Sequence, residues 1–328
     1  MINCGIIGFG KMGQIRARSI EESGIGRVSC VYDPSTIESS PYRVVPTDLE
    51  VLSDPEVNAV FVCTPNHRIK PLVIAALQAG KHVFSEKPPG KCAGDVEEMI
   101  AAEQSSAGKT LMFGFNHRHH GSIQKMKQII DSGSMGRVLW MRGRYGKEVD
   151  ATFFSGWRAD PALAGGGIML DQGIHMLDLF LHLGGGFDEV HAFVSNLFWK
   201  IEGIEDNVFA ILRSSKTGAC ASLHSTMTQW RYLFSLEVFC ERGALVLNGL
   251  KTNSGAYGDE DLAIKHNDVD PEEGRFEREE HIIYHSDTSW LNEVKMFFSS
   301  IESASPVKLG SSQDALALMR VMDKIYAR

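Results

Sequence analysis

The chain opens on blocks of alternating character. An apolar run, Ile2 to Ile7, is followed by Gly8-Phe9-Gly10-Lys11-Met12-Gly13, a helical stretch to Ser23 and a stop at Gly24. A second apolar run, Val28 to Tyr32, ends on Asp33. The alternation continues: Thr47-Asp48-Leu49-Glu50 has capping-box spacing and predicts a short helix. Val60 to Cys63 reads as a buried strand that ends at Thr64-Pro65-Asn66-His67. Ile69 to Ala79 reads as a helix stopped by Gly80, and Pro71, tolerated in a first turn, sets its start near His67 or Arg68. His82 to Ser85 predicts a strand, Val96 to Ala107 a helix and Leu111 to Phe115 a strand. Strands and helices in this rhythm predict a parallel sheet covered on both faces.

The pattern changes near Gly121, which divides the chain into an expected first domain, 1–120, built on the parallel sheet, and a second domain, 121–328. One amphipathic helix, Ile123 to Ile130, precedes a series of strand patterns: Val138 to Tyr145, Glu189 to Phe198, Asn207 to Arg213, Ala219 to Thr228, Phe234 to Cys240 and Ala244 to Leu247. Few helices separate them, so this sheet is expected to be large, open and mostly antiparallel in an α+β domain. A helix is predicted around Ile168 to His182. Residues 251–281, polar and acid-rich, are expected to form a surface loop or short hairpin. Trp290 to Ile301 and Asp314 to Tyr326 read as closing helices. Apolar alternation at Ala192, Val194 and Leu197, or at Leu223 and Met227, predicts a sheet face that helices leave uncovered and another subunit buries.

Composition narrows the partners. The 328 residues carry a net charge of −8 with no consecutive block of Lys or Arg, which argues against nucleic acid and anionic membrane. The six cysteines lack C-x-x-C spacing, and Cys4, Cys30 and Cys63 fall inside strand patterns as buried thiols. The first strand begins at Ile2 and leaves no room for a signal peptide, so a cytoplasmic protein is expected.

The opening block has the order of a dinucleotide-binding unit. Gly8 allows a sharp turn, Gly10 lets a pyrophosphate approach the backbone, and Gly13 lets the helix pack close to the strand. The helix N-terminus supplies N–H donors for phosphate, and Asp33 is placed to bind the ribose hydroxyls. A carboxylate there repels a 2′-phosphate, and Pro34 and Ser35 bring no cation, so NAD is expected over NADP.

Two further segments bear chemistry. Lys87, between Glu86 and Pro88-Pro89, leaves a strand at the edge where open α/β sheets bind ligands; a surface salt bridge is the plainer alternative. In Gly165 to Asp178, the residues Asp171, His175 and Asp178 share one face of a helix. A satisfied core histidine flanked by solvated carboxylates is the plainer alternative here. Two ligands at i,i+4 are too few for zinc, and no metal is expected. Asn116-His117-Arg118-His119-His120 leaves the last parallel strand, and Trp157-Arg158 precedes the glycine run. Asn116, Arg118, Trp157 and Arg158 are candidate substrate contacts, against a reading as exposed polar residues and a loop anchor.

Gly8 to Gly13, Thr64-Pro65-Asn66-His67, Glu86-Lys87-Pro88 and the Gly165 to Asp178 segment occur in this order, and together they resemble the glucose–fructose oxidoreductase, inositol dehydrogenase and rhizopine-catabolism (Gfo/Idh/MocA) family over nearly the whole chain. The resemblance implies a Rossmann domain plus a domain whose open sheet mediates homodimers or homotetramers. It also implies NAD(P)-linked oxidation or reduction of a sugar, sugar acid, nucleotide sugar or cyclitol. Carried over by position, Lys87, Asp171 and His175 are the catalytic group, with Asp171 and His175 also touching substrate. Gly8, Phe9, Gly10, Lys11, Met12, Asp33, Thr64, Pro65, Asn66, His67, Glu86 and Lys87 line the cofactor. A histidine titrates near pH ~6.5 and a lysine near ~10.4, which favours His175 as proton acceptor and Lys87 as donor to the developing alkoxide. The family also contains glycosidases that oxidise and reduce their substrate in turn, and a sugar-regulon repressor that only senses dinucleotide. The intact Lys87, Asp171 and His175 disfavour the repressor.

Overall fold

The computed structural model describes residues 1–327 other than 36, 38, 253, 268, 271–273 and 276–277. Two compact units emerge. The first contains Met1–Asn116, Ala162–Ala164 and Ser289–Arg320; the second contains His117–Pro161, Gly165–Thr288 and Val321–Arg328. The expected domains were two continuous spans, whereas these units interleave along the chain.

The first unit alternates as its sequence pattern dictates: β1 (Ile2–Ile7), α1 (Lys11–Ser23), β2 (Gly26–Tyr32), β3 (Arg43–Val44), α2 (Asp48–Ser53), β4 (Ala59–Val62), α3 (Asn66–Gln78), β5 (His82–Ser85), α4 (Ala93–Ser105) and β6 (Leu111–Phe113). The strands form one parallel sheet in the order β3-β2-β1-β4-β5-β6. Chain order thus reverses beside β1, at the switch point where such sheets bind nucleotides. Thr47 caps α2, its hydroxyl accepting from the Glu50 N–H at 3.3 Å. Helix α3 starts at Asn66, so Pro71 falls in its second turn rather than its first. The burial of Ile69, Leu72, Val73, Ala76 and Leu77 outweighs the one backbone bond that proline removes.

The second unit contains α5 (Gly121–Asp131), β7 (Val138–Glu148), a π-helical turn (Met169–Gly173) leading into α6 (Ile174–Gly184), and then β8 (Glu189–Ser195), β9 (Asn207–Arg213), β10 (Cys220–Thr226), β11 (Thr228–Cys240), β12 (Gly243–Asn248), β13 (Glu260–His266), β14 (Val269–Asp270), β15 (Gly274–Arg275) and β16 (Arg278–Tyr284). Eight of these strands form a sheet in the order β16-β13-β12-β11-β7-β10-β9-β8. Every pairing is antiparallel except β10 with β7. Helix α6 packs on this sheet, and a Cβ on Gly143 would lie 2.4 Å from the Met176 sulfur, so only glycine admits the helix there.

One expectation fails in this unit and a second holds only in part. The 251–281 stretch is not merely a loop or hairpin: it supplies β13 and most of β16 to the large sheet, with β14 and β15 forming a small hairpin. Residues 253, 268, 271–273 and 276–277 of that stretch lie outside the described residues. Leu262 and Ile264 do alternate inward, but the neighbouring charges hide the period, and even the charged Glu260 is buried, bound by His120 and Ser122. The uncovered sheet face agrees with the expectation only in part. Val194 and Leu197 are exposed, as is Phe193, whereas Leu223 and Met227 are buried within the unit and Phe209 and Ile211 are exposed in their place. Leu223 therefore lies on the inner face of its strand, and a shift of one residue along a strand exchanges its two faces.

The closing helices α7 (Ser289–Glu302) and α8 (Ser312–Ile325) follow. Helix α7 returns to the first unit and lies against α1. Phe297 and Phe298 complete a core with Phe61 and Phe84, in which Phe61 and Phe84 stack at 5.0 Å and Phe297 meets both edge-on at 5.6 Å. Each such buried ring contributes roughly 1.5–3 kcal/mol.

Candidate active site

The three glycines of the opening turn have different physical reasons to be glycine. Gly8 has φ +92°, and a Cβ there would meet the Cys63 carbonyl oxygen at 2.5 Å. A Cβ on Gly13 would lie 2.1 Å from the Gly8 carbonyl oxygen. Both therefore serve the fold. Gly10 has nothing within 4 Å of its Cβ position, and it N-caps α1 without a side-chain cap bond. An open cradle at the uncapped N-terminus of a 13-residue helix fits a dinucleotide pyrophosphate. At the end of β2, Asp33 accepts from the Phe9 N–H at 2.7 Å and from the Ser35 N–H at 2.9 Å. These bonds fix the carboxylate and leave further lone pairs for ribose hydroxyls. Thr64, at the end of β4, has a buried hydroxyl oxygen with no hydrogen-bond partner, a second polar group suited to a ligand. Pro65 caps α3 and His67 lies in its first turn.

Two residues expected at the cofactor are engaged by the protein itself. The Asn66 amide donates to the Ala164 carbonyl at 2.7 Å. Glu86 is buried, its Oε1 2.6 Å from the Arg16 Nε. Arg16 is fully buried, and its Nη1 lies 2.6 Å from Oε2 of Glu293 on α7. Burial alone would lower the Arg16 pKa, but Glu293 and Glu86 hold it above its ordinary value. Lys87, the next residue, is half-buried and followed by a cis peptide to Pro88.

The second unit carries Asp171 and His175, not on one regular helix but where the π-turn passes into α6. Glu205 organises that turn. Its carboxylate accepts from the Gly167 N–H at 2.6 Å, the Met169 N–H at 2.9 Å and the Tyr326 hydroxyl at 2.7 Å. A Cβ on Gly167 would lie 2.0 Å from the Glu205 carbonyl oxygen, which explains the end of the glycine run. Asp171 is partly exposed and accepts from the Lys147 ammonium at 2.7 Å, with Arg158 Nε 4.0 Å from its other oxygen. Lys147 lies 4.1 Å over the Phe153 ring, and Arg158 lies 4.5 Å over Trp157. His175 is buried and stacks on His117, with ring centroids 3.8 Å apart and planes 10° from parallel. His117 Nε2 meets the Tyr145 hydroxyl at 3.1 Å. Burial, with Tyr257 and Asp171, pushes that phenol well above its usual range, so it stays protonated.

Arg118 and Asp178 have a different role from the one expected. Asp178 is fully buried rather than solvated, and it receives Arg118 through two bonds, at 2.9 and 2.6 Å. All five residues from Asn116 to His120 are buried, and Asn116 donates to Ser289 at 3.2 Å. Arg118 and Asn116 thus bind the protein's own groups, and Arg158 with Trp157 is the pair left beside Asp171. Lys147 was missed. Strand parity places it on the same side as Tyr145, and a lysine at an inward position is the signal that could have found it. Among the described residues, no group of three His, Cys, Asp or Glu could hold a metal ion, and no helix is long and apolar enough to cross a membrane.

Comparison with known proteins places both parts of the chain in one family. Residues 2–115 match the oxidoreductase family with an NAD-binding Rossmann fold, and residues 123–246 match the GFO/IDH/MocA C-terminal domain. The myo-inositol 2-dehydrogenase of Thermotoga maritima is 28% identical over 335 aligned residues, covering 96% of this chain and 92% of the relative. A levoglucosan dehydrogenase of Pseudarthrobacter phenanthrenivorans is 33% identical over 147 residues, 44% of this chain and 37% of its own. Among solved structures, a levoglucosan dehydrogenase in complex with NADH superposes with a TM-score of 0.86 at 22% identity, covering 99% of this chain and 96% of that one. The chain therefore belongs to the Gfo/Idh/MocA oxidoreductase family and is an NAD(P)-dependent dehydrogenase acting on CH–OH donors.

Proposed function

We propose that the chain oxidises a secondary hydroxyl, or reduces the matching ketone, of a sugar, sugar acid, nucleotide sugar or cyclitol, with NAD preferred over NADP. The observation that carries this reading is Asp171, clamped by Lys147 at 2.7 Å, one turn before a His175 stacked on His117. When bound, the nicotinamide supplies the hydride acceptor. His175 takes the hydroxyl proton on a ring nitrogen, since a neutral imidazole is the acceptor nearest to working pH. Lys87 donates from Nζ to the developing alkoxide, and Asp171 orients His175. Arg158, backed by Trp157, offers a cation to a substrate oxygen or carboxylate. Asp33 supports the cofactor preference, because its fixed carboxylate accepts from ribose hydroxyls and repels a 2′-phosphate.

The exposed row Phe193, Phe209 and Ile211 supports a homodimer or homotetramer through the outer sheet face. The six free thiols fit a cytoplasmic setting. The test is a panel of inositols, anhydrosugars, sugar acids and nucleotide sugars with NAD, followed by pH–rate profiles. NADH is expected to accumulate in solution, and the oxidation rate to fall as pH drops through the histidine range. That acidic limb is expected to vanish in His175→Ala. If the limb persists in the variant, His175 is not the base.

A further inference from the structure

Helix α1 does more than present its N-terminus. Three residues past Gly13, Arg16 enters the core and reaches two carboxylates on separate elements: Glu86, just after β5, and Glu293, on α7. Its guanidinium carbon lies 4.3 Å over the Phe84 ring and 4.7 Å over the Trp290 ring. Gly114 makes the room, since a Cβ there would lie 3.0 Å from Arg16 Nη2 and 3.4 Å from Glu86 Oε2. Three ionisable groups thus occupy a volume that apolar side chains could fill at lower cost, which makes the network a poor device for stability alone.

Its location suggests what it achieves instead. The Glu86 N–H donates to the Val62 carbonyl at 2.9 Å, and the Gly114 N–H donates to the Ser85 carbonyl at 2.8 Å. The backbone before Lys87 is therefore tied to β4 on one side and to the end of β6 on the other. Arg16 supplies the third tie, through the Glu86 side chain. Successive side chains of an extended segment leave on opposite sides, so drawing Glu86 into the core sends Lys87 the other way.

We infer that Arg16 is a positioning residue for Lys87: it holds the Glu86 carboxylate in the core, fixes the Glu86–Lys87 turn, and keeps that negative charge off the neighbouring ammonium. The inference rests on Lys87 acting in the reaction proposed above. It also means that the helix expected to grip the pyrophosphate sets the stance of the catalytic lysine. Without Arg16, Glu86 would be a buried carboxylate lacking its cation, and it would escape either to water or toward Lys87, the adjoining cation.

The test reads Lys87 directly and needs no substrate. Lysines of the full chain are 13C-methylated, and the Lys87 resonance is identified by its loss in Lys87→Arg and then titrated. In Arg16→Met, with Glu293→Gln also present to spare the core a second unpaired charge, the Lys87 midpoint is expected to rise by about one unit, the effect of an opposite charge brought close. Adding Glu86→Gln is expected to return it to the unmutated value. Should Arg16→Met fail to fold, Arg16→Lys makes the same comparison, with a smaller rise expected because a short point charge cannot span both carboxylates. Identical Lys87 titrations in the unmutated protein and the Arg16 variants overturn the inference. A separate control isolates the underlying reading. If Lys87→Ala keeps full turnover of a panel substrate, Lys87 is not catalytic, whatever Arg16 does to its titration.

Discussion

Replacing Glu293 by glutamine tests the energetics of the buried network. Glu293 is fully buried on α7, and its carboxyl is pushed up to about 7 from an ordinary 4.5. Burial is the main cause, with Arg16 pulling the value down and Glu86 pushing it up. The folded protein therefore binds this proton more tightly than the unfolded chain does. Stability from the neutral acid is fully present below about pH 4.5 and is lost as pH rises through about 7. At about 1.4 kcal/mol per unit, the loss amounts to roughly 3 kcal/mol by neutral pH. Glutamine keeps the shape of the neutral acid and cannot ionise. Glu293→Gln is thus expected to gain roughly 3 kcal/mol on the unmutated protein between pH 4.5 and 7.5, or roughly 6–12 °C in the melting of a unit this size. Calorimetry of both proteins at several pH values measures that difference, and other titrating groups cancel in it. A difference independent of pH would refute the argument. A variant that loses ground as pH rises would show that the pairing with Arg16 outweighs burial and that Glu293 is ionised throughout.

Three other perturbations probe separate parts of the molecule. Asp33→Ala is expected to weaken NAD binding roughly 10- to 100-fold, the worth of a charge-assisted hydrogen bond, and to narrow the gap to NADP; equal Kd values for the two cofactors in the unmutated protein would sink the preference. Lys147→Met strips Asp171 of its ammonium and is expected to lower kcat roughly 10- to 100-fold with NAD affinity retained, as initial rates and NADH fluorescence would read; unchanged kcat removes Lys147 from the site. Phe209→Glu on the exposed sheet face is expected to shift sedimentation toward monomer, and a protein that is monomeric before mutation contradicts the assembly reading.

The sequence made the first unit legible because its elements repeat one short-range grammar. Strand, glycine turn, helix and strand each have their own marks, and Thr47 caps α2 as its spacing demands. The second unit was legible in kind but not in detail. Period-two alternation identifies a strand and its two faces, yet nothing in it says which face the helix covers, so Leu223 and Met227 are buried where an open face was expected, while Val194 and Leu197 are exposed. Charged residues at inward positions were harder still. For Glu260, Lys147, Arg118 and Glu293, the partners that make their burial tolerable are 24 to 277 residues away. Glu86 and Asn66, which the resemblance places at the cofactor, also make long-range bonds within the protein that the sequence does not show. The π-turn was hidden for a related reason: Glu205, which binds its opening N–H groups, follows some 36 residues later.

The return of α7 to the first unit also sets an order of events during synthesis. Phe61 and Phe84 leave the ribosome more than two hundred residues before Phe297 and Phe298, the rings that pack on them. At roughly 5–20 residues per second, the sheet of the first unit waits about 10–40 s with one apolar flank open. Within that interval the whole large antiparallel sheet emerges. The nascent chain therefore presents a sticky, incomplete nucleotide-binding half beside a second unit that is free to condense first, and this is the window in which chaperone capture, or its failure, would decide the yield of active protein.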